Sequence, residues 1–211
     1  MSKPFQIMQM AFSGHLNFKL YQERMYQLKV IIASTRPGRK GPTIANWLIE
    51  QLKNQSDFEV ELLDLKEINL PFMDEPEHPR LQQYQHEHTK AWSKKINAGD
   101  AFIFVTPEYN FGYPAPLKNA LDFLYQEWTY KPLGFVSYGG ISGGTRSVQM
   151  LKQVVTALKM VPLIEAVHIP YFNKNIDDEG EFIGDEGHIH MAQGLFKELA
   201  RWTKQLKTMR S

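Results

Sequence analysis

The run Ala101-Phe102-Ile103-Phe104-Val105 leads directly into Thr106-Pro107-Glu108-Tyr109-Asn110. Five apolar residues with no polar interruption are how a strand reads when both of its faces are buried, as in the middle of a parallel sheet. Such a strand needs companions on both sides and helices on both faces, and the flanking sequence supplies them. Residues 28–33 form a short β-branched run, 58–63 alternate, and 133–138 and 161–169 are further strand candidates, the last interrupted early by Pro162. Between them lie stretches of helical composition at 43–53, 82–97, 115–125, 145–159 and 189–207. In the first of these, Ile44, Trp47, Leu48 and Leu52 share one face, and Pro42 suits a first helical turn that does not need its N–H. Five strands alternating with five helices predict a doubly wound α/β domain: a three-layer sandwich around a parallel sheet, with right-handed crossovers.

Composition narrows the partners. The 24 basic and 23 acidic residues leave a formal charge of +1, which gives no electrostatic case for nucleic acid or an anionic membrane surface. No apolar run approaches the roughly 20 residues needed to span a bilayer. Cysteine is absent, so thiolate chemistry and disulfides are excluded, and a cytoplasmic location is consistent with that. Residues 1–27 carry Lys3, Lys19 and Arg24 against Glu23 and contain no long apolar segment; they read as a poorly docked N-terminal extension preceding a single domain over 28–211.

In a doubly wound sheet, ligands bind beyond the carboxyl ends of the strands, where strand order reverses. Three loops there carry chemistry. Following strand one, Ala33-Ser34-Thr35-Arg36-Pro37-Gly38-Arg39-Lys40-Gly41-Pro42-Thr43 runs into a helix N-terminus. Free backbone N–H groups, the hydroxyls of Ser34, Thr35 and Thr43, and the guanidinium groups of Arg36 and Arg39 are suited to a phosphate. A solvated basic turn is the plainer alternative. Neither G-x-x-x-x-G-K-[ST] nor G-x-G-x-x-G is present, which argues against a P-loop or a Rossmann dinucleotide site. The second loop, Thr106 to Pro116, crowds aromatic, proline and amide groups at a strand end, as a flat ligand requires; a tight turn with core aromatics is the alternative. The third, Tyr138-Gly139-Gly140-Ile141-Ser142-Gly143-Gly144, permits positive φ and close backbone approach to a ligand; a flexible linker is the alternative. Three such loops at neighbouring strand ends point to one shared site.

These residues resemble the NAD(P)H-dependent FMN reductases of the flavodoxin-like superfamily, over about residues 28–206. Ser34-Thr35-Arg36-Pro37-Gly38-Arg39 is similar to the family's phosphate loop. Thr106-Pro107-Glu108-Tyr109-Asn110, followed by Pro114, Leu117, Lys118, Asn119 and Asp122, is similar to its most specific motif, and Tyr138-Gly139-Gly140 with Ser142-Gly143-Gly144 and Arg146 to its third loop. The phosphate loop is longer than in many members and includes Pro37 and Lys40. The resemblance implies a flavodoxin-like strand order 2-1-3-4-5 and noncovalently bound FMN. It implies that Ser34, Thr35, Arg36, Arg39, Gly41, Thr43 and Ile44 surround the phosphate end. Pro107, Glu108, Tyr109, Asn110, Tyr138, Gly139, Gly140, Ser142 and Gly143 then lie around the ring end. NAD(P)H is implied as co-substrate, with hydride passing through the flavin to a small acceptor: a quinone, free flavin, azo compound or metal oxyanion. A non-enzymatic FMN electron carrier and a flavin-free module are the competing readings. The resemblance further implies a homodimer or higher homo-oligomer, with the loop through Trp128 and Tyr130 as an interface surface.

Other residues read as structural. His86/His88 and His188/His190 are spaced i, i+2, which does not place both on one helical face for a metal. Glu108 suits a loop-orienting carboxylate better than a general base. Trp47 and Trp202 read as helix packing, and 177–186 as a solvated acidic loop.

Overall fold

The computed structural model describes residues 25–53 and 57–210. Five strands, β1 (Tyr26–Ile32), β2 (Phe58–Asp64), β3 (Ala101–Pro107), β4 (Pro132–Tyr138) and β5 (Val161–Ile169), form one sheet in the order β2-β1-β3-β4-β5. Every pairing is parallel. β3 and β4 are buried along their whole length, as the unbroken apolar run predicts. Helices α1 (Gly41–Leu52) and α6 (Glu186–Lys207) cover one face; α3 (Glu87–Asn97), α4 (Ala115–Asp122) and α5 (Thr145–Ala157) cover the other. A single turn, α2 (Leu65–Ile68), follows β2.

The parity of the strands sorts the two cores. Leu28, Val30 and Ile32 face α1 and α6, whereas Phe102 and Phe104 pack on Trp92 and Trp128 beneath α3. Successive strand residues point to opposite faces, so both patterns follow from one periodicity. Among the described residues, no helix is long and apolar enough to cross a membrane.

Several boundaries differ from expectation, each for a physical reason. β1 begins at Tyr26, two residues before the predicted start, because the Tyr26 N–H donates to Asp57 O and its ring packs on Phe58. The remainder of the predicted extension, residues 1–24, lies outside the described residues. α3 begins at Glu87 rather than at 82: Gln82 takes a left-handed conformation after a short 3₁₀ turn, and Glu75 accepts from the N–H groups of Gln85 and His86. α4 ends at Asp122, and a 3₁₀ turn over Gln126–Trp128 drives Trp128 into the core. There Trp128 is fully buried against Phe102, with Nε1 donating to Leu121 O at 3.2 Å. Trp128 is therefore not part of an exposed interface surface, contrary to expectation. Trp47 packs as expected, whereas Trp202 stands half-exposed on the outer face of α6.

Candidate functional site

β1, β3 and β4 end side by side, and their loops converge. A cavity of about 230 Å³ is lined by Arg36, Arg39 and Lys40 from the first loop, by Pro107, Glu108 and Tyr109 from the second, and by Tyr138, Gly139 and Gly140 from the third; Phe172 closes it. The three loops singled out in the sequence thus form one site. A larger hollow of about 330 Å³ lies beside Phe72, but its walls are mostly apolar and the Asn119 amide there is spent on Pro71 O and Met73 N.

The first loop is held rigidly. Arg39 forks onto Asp64 at the end of β2, with N–O distances of 2.5 and 2.6 Å, and also donates to Ser34 O at 2.7 Å. The sequence suggests a phosphate partner for this guanidinium; the structure has it pin the loop. Burial opposes its charge, but the hydrogen bond to Asp64 outweighs that and pushes the guanidinium further above its ordinary range. Arg36 is exposed at the mouth, and among the described residues no carboxylate pairs with it. α1 has Pro42 in its first turn, no acidic residue there and no side-chain cap, so its N-terminal dipole faces the loop unscreened by its own sequence. Thr43 faces elsewhere. Its hydroxyl donates to Glu181 at 2.6 Å and accepts from Phe182 N at 2.7 Å, tying α1 to the 176–183 segment. The acidic stretch 177–186 is largely solvent-facing, as expected, but Phe182 is buried against Trp47 and anchors it. Ile44 is a core residue and Thr35 does not line the cavity.

Two hydroxyls beneath this loop are buried and, among the described residues, have no hydrogen-bond partner: Ser34 Oγ and Tyr138 OH. Both lie beside Gly41. A Cβ there would meet Ser34 Oγ at 2.5 Å and Tyr138 OH at 3.2 Å, so glycine keeps open the space between them. An unpaired buried hydroxyl costs about 1–3 kcal/mol, and two together beneath a loop that carries Arg36, Arg39 and Lys40 suit an anionic, hydrogen-bonding ligand.

The second and third loops are locked to each other by Glu108. Its carboxylate accepts from Ser142 Oγ at 2.7 Å, Arg146 N at 3.2 Å and Arg146 Nε at 2.6 Å. Burial alone would raise its pKa, but the Ser142 hydroxyl and the Arg146 guanidinium hold it below the usual carboxylate range. A carboxylate so fully engaged is suited to orienting loops rather than to accepting a proton. Beyond it, Tyr109 and Gly112 exchange backbone hydrogen bonds of 2.9 Å around Asn110 and Phe111, both at positive φ. This is the two-residue turn that matches strand twist. It leaves Phe111 exposed, with the Arg146 guanidinium 3.9 Å above its ring. In the third loop Gly143 and Gly144 take positive φ; a Cβ on Gly144 would lie 2.8 Å from Tyr138 N. Gly143 O accepts from Ser137 Oγ, so Ser142 and Gly143 support the loop from behind the cavity.

The model of the family described as NADPH-dependent FMN reductase matches residues 27–174. The chain is 44% identical over 180 residues to an NAD(P)H-dependent FMN reductase of Schizosaccharomyces pombe, covering 82% of this chain and 90% of the relative. The chain belongs to the NADPH-dependent FMN reductase family. Another relative of this FMN reductase family protein is an FMN-dependent NADPH-azoreductase of Staphylococcus aureus, 29% identical over 171 residues, covering 79% of this chain and 89% of the relative. The flavoenzyme NAD(P)H:(acceptor) oxidoreductase FerB of Paracoccus denitrificans shares the fold, with a TM-score of 0.68 at 22% identity, covering 86% of this chain and 98% of that one. For a family member, the orphaned Ser34 and Tyr138 hydroxyls, the gap at Gly41 and the unpaired Arg36 fit the phosphate end of FMN, and the open rim at Pro107, Tyr109 and Gly139-Gly140 fits a flat ring. The sequence missed the pairings that build the site: Arg39–Asp64, Thr43–Glu181 and Glu108–Arg146. Each joins segments far apart in the chain, and no local spacing announces them.

Proposed function

We propose that this chain is an FMN-dependent oxidoreductase that takes hydride from NAD(P)H and delivers it to a small acceptor such as a quinone, free flavin or azo compound. Bound FMN supplies the hydride-accepting and hydride-donating chemistry. The protein's own contribution is binding and orientation. Arg36, Ser34 and the first turn of α1 hold the phosphate end. The backbone of Pro107 to Tyr109 and of Gly139-Gly140 frames the ring. Glu108, clamped by Ser142 and Arg146, keeps those two loops in register. No side chain is assigned as an acid or base, because the one carboxylate in the cavity wall is already engaged. The observation that carries this reading is the convergence of all three loops on one cavity, with two unpartnered hydroxyls, Ser34 Oγ and Tyr138 OH, beside Gly41 under its first loop.

The decisive experiment is a visible spectrum of the purified protein followed by anaerobic addition of NADPH. A flavin spectrum that bleaches, and recovers when a quinone or azo dye is added, is expected. A flavin spectrum unchanged by NADPH and NADH would support an electron carrier, and failure to take up FMN would sink the reading. The same reading includes a homodimer, supported by large apolar rings left exposed: Phe72, in the connection between α2 and α3, at 87%, and Phe111, in the loop before α4, at 63%. Sedimentation as a monomer at micromolar concentration would count against that part.

A further inference from the structure

The third loop's tyrosine does something that its position in the chain does not suggest. Tyr138 ends β4, two strands away from β1 across β3, a lateral distance of roughly 10 Å. Its side chain lies on the sheet face covered by α1 and α6, with the Phe172 ring 5.3 Å away at 75°, fixing its plane. The hydroxyl thereby arrives under the first loop, beside Gly41 and Ser34 Oγ, rather than at the ring end of the cavity. Among the described residues Tyr138 OH makes no well-formed hydrogen bond although the residue is 3% exposed, and the polar group acting on it at close range is the Ser34 hydroxyl. A phenylalanine would fill the same space without leaving a polar atom stranded, so the hydroxyl is carried for something other than the fold.

We propose that Tyr138 is a phosphate-positioning residue: its hydroxyl donates to Ser34 Oγ, which turns the Ser34 proton toward a phosphate oxygen of FMN. The proposal rests on the flavin reading above and adds a donor chain that begins in β4. Two observations support it. Ser34 Oγ is equally buried and equally unpartnered, so the two hydroxyls lack partners together and are satisfied together. Burial also keeps the phenol protonated beyond the ordinary tyrosine range, so it remains a donor at any working pH. Tyr138 touches Ser34 rather than the reacting ring, and it acts through that residue.

The test is the affinity of the full-length apoprotein for FMN and for riboflavin, which lacks the phosphate, measured by quenching of flavin fluorescence. In Tyr138→Phe, FMN binding should weaken roughly tenfold to a hundredfold, as for loss of a hydrogen bond supporting a charged group. Riboflavin binding should stay within about twofold. The double variant with Ser34→Ala should bind FMN no more weakly than Ser34→Ala alone. The ³¹P resonance of bound FMN should move in Tyr138→Phe. The apo form of that variant should melt no lower than the parent, since an unpartnered hydroxyl has been removed. Equal weakening for both flavins, unchanged FMN affinity, an unmoved ³¹P resonance, or an apo variant that melts lower or fails to fold would each overturn the proposal. Binding of neither flavin by the parent protein would overturn the flavin reading itself, and this inference with it.

Discussion

At Gly41 a single hydrogen atom decides whether the site exists. Replacing it by methyl puts a carbon 2.8 Å from Ile32 Cγ2 and 2.5 Å from Ser34 Oγ, in the space between the two orphaned hydroxyls. Gly41→Ala should therefore lower FMN affinity by at least tenfold and lower stability by about 1–3 kcal/mol, the usual cost of overpacking; a flavin titration and a urea melt separate the two effects. Glu108 is a second such residue. Replacing it by Gln keeps the shape but removes the charge that Arg146 and Ser142 engage, so Glu108→Gln should cost about 1–2 kcal/mol at neutral pH, discounted because Arg146 is partly exposed. Its folded-state pKa is depressed, so the carboxylate's contribution is present above the ordinary carboxylate range and is lost as pH falls through the lower folded value. The stability gap between parent and variant should close only in acid, and urea midpoints between pH 7 and pH 3 would show it.

Elements are tied together at both ends of the sheet, by different means. At the end opposite the cavity, Lys131 stands just before β4, buried, with Nζ donating to Ile96 O and Asn97 O at the C-terminus of α3. Burial, with Arg210 nearby, pushes its pKa down to about 7. The unfolded chain keeps that proton until about pH 10, so between pH 7 and 10 the unfolded state binds more protons and stability rises with pH. Lys131→Met should remove that rise, leaving a flatter profile by about 1–3 kcal/mol across the window, read from urea midpoints at pH 7 and 9. A parallel slope in the variant would refute the assignment. The same scale shows what the sequence could reveal. β5 spans the predicted residues because β-branched apolar runs and turns are local signals, whereas the start of α3 depended on Glu75, ten residues away, capping amides that composition made look helical.

Taken as one body, the protein is a set of packed layers in which, among the described residues, two of the four unpartnered buried hydroxyls, Ser34 and Tyr138, meet at the carboxyl edge. FMN that binds the folded state alone should stabilise it by about 2.7 kcal/mol at a hundredfold excess over Kd. For a domain of this size that is a rise in Tm of roughly 5–10 °C, and scanning calorimetry with and without FMN measures it. Loop identity and location were legible because hydroxyls, aromatics and glycines cluster at strand ends, where a doubly wound sheet exposes them. Which donors remain free was not. Arg39 and Thr43 look as ready as Arg36 and Ser34 until Asp64 and Glu181 are brought beside them by strands and helices from elsewhere. Sequence shows which groups arrive at the edge, and tertiary packing decides which of them are already spoken for.

The seam between Thr43 and Glu181 gives the order of assembly a direction. Its partners are 138 residues apart, and Trp47 finds Phe182 and His188 from the same late stretch. During synthesis the N-terminal segments emerge first, so α1 waits with its hydroxyl and indole face uncovered until that stretch leaves the ribosome. Arg39 and Asp64 pin the loop leading into α1 from early segments, but the seam that holds α1 itself, and Phe172 of the cavity wall, come only with that late stretch. Because Tyr138, Gly139, Gly140 and Phe172 complete the cavity wall from the later part of the chain, flavin is expected to load late, as a seal on a finished protein rather than as a template around which a nascent one folds.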